Sequence, residues 1–94
     1  MSNFIARVEL HSADYDDYEL LHTSMQRRGF LRRITSNEGR TSQLPTGTYI
    51  MENATISGSD ALKRAVTAAS ETGKESSIIV ADWSCANWQG LSGV

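Results

Sequence analysis

One cysteine stands in this chain of 94 residues, so no intrachain disulfide and no multi-cysteine metal site can form. Cys85 is expected to be a reduced thiol of a cytoplasmic protein. One proline, Pro45, leaves the backbone almost free of fixed breaks. No apolar run reaches the length needed to cross a bilayer, and no basic segment followed by a long apolar stretch opens the chain. Membrane partners and secretion are therefore not expected. Nor is there a basic excess: nine Lys and Arg stand against eleven Asp and Glu, a formal net charge of −2. Tight non-specific DNA binding draws its affinity from neutralising many phosphates, and this balance does not supply that. Glycine-rich phosphate loops, a nucleophile elbow and suitably spaced paired carboxylates are missing as well, so no motif assigns a reaction.

What remains is the composition of one globular domain, 39% hydrophobic and 21% charged. Phe4 to Leu10 alternates: Phe4, Ala6, Val8 and Leu10 share one face and Ile5, Arg7 and Glu9 the other, the period of a half-buried strand. Asp14 can cap a helix whose first turn carries Asp16 and Asp17, whose apolar stripe is Tyr18, Leu21 and Met25, and which Gly29 ends. Phe30 to Thr35 reads as a strand, followed by a long hairpin connection around Gly39 and a further strand from Thr48 to Asn53. Ser57 to Asp60 supplies caps for a second helix, with Leu62, Ala65, Val66 and Ala69 as its buried stripe. Ile78 to Ala81 is a continuous apolar run suited to an inner strand.

The resulting β-α-β-β-α-β order predicts an α+β, ferredoxin-like sandwich: a four-stranded antiparallel sheet with two helices on one face. Residues 1–83 would form this domain. Its bare sheet face, with Ile5, Arg7 and Glu9, has the mixed character of a partner surface. Residues 84–94 would be a flexible or partner-docking tail, with Trp88 and Leu91 as anchors for a neighbouring subunit.

Arg27, Arg28, Arg32 and Arg33 fall within seven positions that hold no acidic residue. Helix-end charge alone explains part of this. A guanidinium fork also matches phosphate oxygens, and Arg40 in the hairpin could join the group. His22 flanks the apolar stripe of the first helix, where it is either a packed histidine or a proton shuttle beside the arginines; His11 offers the same choice. Two histidines on different elements are no zinc signature. The acidic group Asp14, Asp16, Asp17 and Glu19 reads as helix-start charge rather than a Mg²⁺ site, so no cofactor or metal is expected. Trp83, Trp88 and Tyr49 have the chemistry to stack bases, although such residues more often serve a core or an interface.

Several stretches, FIARVEL, YDDYELLHTSMQRRGF from Tyr15, LPTGTYIM from Leu44 and SGSDALKRA from Ser57, resemble the GhoS family, antitoxins of type V toxin–antitoxin systems. The resemblance covers roughly the first seventy residues and rests on aromatic, Leu, Met and Gly positions. It implies the same fold and a bacterial, metal-independent endoribonuclease that cuts single-stranded messenger RNA of a partner toxin. The family's functional basic position on the first helix falls on His22, which would act on the ribose 2′-OH while Arg28 stabilises the phosphorane. Arg27, Arg28, Arg32, Arg33 and Arg40 would bind the RNA. The alternative is a non-catalytic homodimerising module of a phage or plasmid accessory system, assembled through the open sheet face or the tail.

Overall fold

The computed structural model describes residues 1–94. Its elements are β1 (Ser2–Leu10), α1 (Tyr15–Arg27), β2 (Arg33–Thr35), β3 (Thr41–Gln43), β4 (Thr48–Ala54), α2 (Gly58–Ser70) and β5 (Ser76–Asp82). The alternation in β1 has the expected consequence: Phe4, Ala6, Val8 and Leu10 are buried. They form the main core with Leu21 and Met25 of α1, Tyr49 and Met51 of β4, and the alanines of α2. Both helices therefore pack on one side of the sheet.

Helix α1 is held at both ends by its own sequence. Asp14 accepts from the Asp17 N–H while the Asp17 side chain accepts from the Asp14 N–H, a reciprocal capping box. That hydrogen bond from the Asp17 amide holds the Asp14 carboxyl below its usual range. At the other end Gly29 takes a φ of +89°, Gly29 N–H donates to Gln26 and Phe30 N–H to Met25. This is a Schellman stop, and its apolar pair, Met25 and Phe30, is fully buried.

Several expectations are corrected here. The α+β class with antiparallel pairing holds, but there is no four-stranded sheet: β4-β1-β5 form one sheet and β2-β3 a separate two-stranded ribbon. The backbone pairing between ribbon region and sheet is an isolated bridge, Leu31 with Ile50. The sheet face opposite the helices is not bare either. Ile34 and Leu44 of the ribbon region close over Ile50, with Ile5, Trp83 and Leu91 packed around them as a second small core. Arg7 donates to the Thr46 carbonyl at 2.9 Å and stays exposed, as does Glu9. The end of the chain takes part: Gln43 N–H donates to Ser92 and Val94 N–H to Thr41. These are contacts within the chain, where the sequence suggested a loose tail or a neighbouring subunit.

The buried stripe of α2 also differs. Ala61, Ala65, Ala68 and Ala69 are buried, whereas Leu62 and Val66 are 38% and 50% exposed. Small side chains let this helix lie close to the sheet, and its larger apolar residues are turned to one flank.

Candidate phosphate groove between the first helix and the ribbon

The chain leaves α1 at Gly29, runs through the bridge at Leu31 and enters β2. This path brings one face of α1 against the start of the ribbon. Between them lies a groove of about 670 Å³ bordered by Glu19, His22, Gln26, Arg32, Arg33 and Gln43, among others. Behind it stands Tyr49 of β4, fully buried.

The imidazole of His22 is the best-defined group in the groove. Its Nδ1 lies 2.6 Å from the Tyr49 hydroxyl, and its Nε2 lies 3.6 Å from a carboxylate oxygen of Glu19. Burial raises the Tyr49 pKa well above the ordinary phenol value, so the hydroxyl keeps its proton. A buried hydroxyl must donate somewhere, and His22 is its one hydrogen-bond partner. The Tyr49 O–H therefore donates to Nδ1, and the ring proton sits on Nε2, towards Glu19. Burial first, and the Arg32 cation second, push the His22 pKa down, with Glu19 opposing. At neutral pH His22 is a neutral N–H donor at the groove, not a free base.

Arg32 is half-buried and lines the groove, and its Nε is buried without a hydrogen-bond partner. Arg33, exposed on β2 opposite Gln43, borders the groove as well. Two guanidinium groups and an imidazole N–H thus meet there, against one carboxylate.

The remaining arginines expected at the site are placed elsewhere. Arg28 turns to α2, where its two terminal nitrogens donate to Glu71 at 3.0 and 2.9 Å and one also donates to the Ser24 carbonyl. These donations, with one from the Ser24 hydroxyl, hold the Glu71 carboxyl below its usual range. Arg28 is a clamp between helices, which argues against a catalytic or phosphate-binding role for it. Arg27 is exposed and favours the charged form of Glu71, so it lies towards that clamp. Arg40 borders a different cavity, of about 750 Å³, with Trp83, Trp88 and Glu52. The single cationic rim expected from the sequence is split three ways, and only Arg32 and Arg33 share a groove with His22. Base stacking on Tyr49 is precluded by its burial.

Sequence reasoning missed Glu19, Gln43 and Tyr49 as members of the site. The spacing of Glu19 and His22, one helical turn, could have signalled the first of them. No helix is long and apolar enough to cross a membrane. No family model, curated protein or solved structure matches the chain.

Proposed function

We propose that this protein binds single-stranded RNA, with the groove between α1 and the ribbon holding a backbone phosphate. The observation that supports it is the convergence of His22, Arg32 and Arg33 on one groove, with a buried Arg32 Nε lacking an acceptor. A phosphate offers acceptor oxygens to the Nε2–H of His22 and to both guanidinium groups at once. The proposal places the protein in the cytoplasm, in the antitoxin role that the GhoS resemblance implies, with the message of a partner toxin as its RNA.

The geometry favours binding over cutting. Metal-free cleavage would have the ribose 2′-oxygen attack the adjacent phosphorus, forming a cyclic phosphate and expelling the 5′-oxygen. One proton leaves the 2′-hydroxyl and one reaches the departing oxygen. For His22 to accept the first, its Nε2 proton must move and the Tyr49 hydroxyl must give up its hold on Nδ1. Until then His22 and Arg32 act as donors to phosphoryl oxygens.

The test is to incubate the purified protein with a labelled, unstructured A- and U-rich RNA in EDTA. Retention and 5′ ends are then followed. Retention at low salt is expected, and ends that form in EDTA would add the nuclease. Retention without new ends leaves an RNA-binding protein only, and no retention removes the proposal.

A further inference from the structure

β5 lies at the rim of its sheet, with β1 on one side and no strand on the other. His11 N–H donates to Glu75 and Trp83 N–H donates to Asn3. With the register of Ile79 opposite Arg7, odd-numbered residues of β5 therefore turn their backbone groups to β1. Ser76, Ile78, Val80 and Asp82 turn theirs outward. Four consecutive outward positions carry no proline, and no charge before Asp82. Natural sheets usually block such a rim with a charge, a proline or a bulge.

The side chains around the middle of this rim are apolar. Ile79 sits at the middle of the strand on the face away from the helices and is 65% exposed. On the helix side, α2 packs against β5 and β1, and α1 packs against α2. Glu71 marks the flank of α2 that meets α1, through Arg28 and Ser24. Leu62 lies nine residues earlier, about 180° around the helix from Glu71. Leu62 and Val66 therefore face away from α1, over the β5 rim.

We infer that β5 pairs with β5 of a second copy of this chain, antiparallel about a two-fold axis through Ile79. In that register Ile78 opposes Val80 of the second copy and Ser76 opposes Asp82, so every outward N–H and C=O of both strands finds a partner. Ile79 meets its own equivalent. The two α2 helices approach through Leu62 and Val66, closing the apolar flank. A strand of a foreign protein would satisfy the backbone, but a second copy also brings its own Ile79, Leu62 and Val66 to the same two-fold axis, so each exposed apolar group of the flank is covered by its equivalent. The product is one continuous sheet built from two three-stranded ones, with the His22 grooves at its far ends. This inference is independent of RNA binding.

The test is light scattering of the full chain over a concentration series, with two variants. Val80→Pro deletes an outward N–H that β1 does not use, so the protomer is expected to fold and the dimer to be lost. Ile79→Lys places two cations face to face and is expected to weaken the dimer about tenfold or more. In a Cys85→Ser background, Ile79→Cys is expected to form an intermolecular disulfide under mild oxidation, because an antiparallel pair without mutual hydrogen bonds brings its Cα atoms to about 4.5 Å. A wild-type chain that stays monomeric at its highest soluble concentration overturns the inference. So does a dimer that survives Ile79→Lys unchanged and gives no Ile79→Cys crosslink, an outcome that stands even if Val80→Pro does not fold.

Discussion

The hydroxyl of Tyr49 lies 2.6 Å from Nδ1 of His22, and this contact decides which ring nitrogen carries the proton. It converts a histidine at the rim of an apolar stripe into a fixed donor. Nitrogen NMR of the imidazole is expected to show a protonated Nε2 and an unprotonated Nδ1 at neutral pH. Tyr49→Phe is expected to remove that bias, raise the His22 pKa and cost about 1 kcal/mol in denaturant stability. An Nδ1-protonated ring in the wild type would contradict the assignment.

The depressed His22 pKa has a defined sign in folding. The native state disfavours the imidazolium, so its contribution is complete above the unfolded value, 6.5, and is lost as pH falls through the folded pKa. Phosphate binding has the opposite dependence, because a bound anion favours the imidazolium. RNA affinity is expected to rise as pH falls below neutrality, and His22→Gln to flatten that rise. Parallel titrations of thermal stability and RNA retention check both signs.

Arg28 and Glu71 form the clamp between the helices. Arg28→Ala is expected to lower the unfolding midpoint slightly, since the pair is partly exposed to solvent, and to leave RNA binding unchanged. Glu71 has a lowered pKa, so the clamp's contribution is present above the ordinary value of 4.5 and fades on acidification through the folded pKa. A double-mutant cycle of Arg28→Ala and Glu71→Ala at neutral and acid pH measures it.

Gly47 and Gly39 both take a positive φ, +83° and +85°. A Cβ on Gly47 would stand 2.5 Å from the Val8 carbonyl oxygen, whereas one on Gly39 meets nothing within 4 Å. Gly39→Ala is expected to cost about 1 kcal/mol, the backbone cost alone. Gly47→Ala should cost clearly more, because Val8 N–H donates to the Gly47 carbonyl at 2.7 Å and cannot give way freely. Urea unfolding of the two variants side by side checks the difference.

Local signals carried the elements. The capping box at Asp14, the Gly29 stop and the alternation in β1 depend on residues near in sequence, so their chemistry could be read directly. The failures are all long-range. Leu62 and Val66 outrank alanine in hydrophobicity, but which flank of α2 meets the sheet depends on where α1 lies. Polarity in residues 36–47 marks a hairpin without revealing that Ile34 and Leu44 fold it back over Ile50. At the site, Arg28 and Glu71 are 43 residues apart and His22 and Tyr49 are 27 apart. Four arginines close in sequence carried no information about which of them a distant carboxylate would claim.

The most direct test of the groove is the salt dependence of single-stranded RNA binding in wild type, in Arg32→Gln with Arg33→Gln, and in Arg28→Ala. Removing one cation from a single-strand phosphate lowers the log–log slope by about 0.7. The double variant is expected to show about twice that reduction while keeping its fold, and Arg28→Ala is expected to match wild type. A full slope in the double variant, or a reduced slope in Arg28→Ala alone, would contradict the assignment of the phosphate to the groove of His22, Arg32 and Arg33.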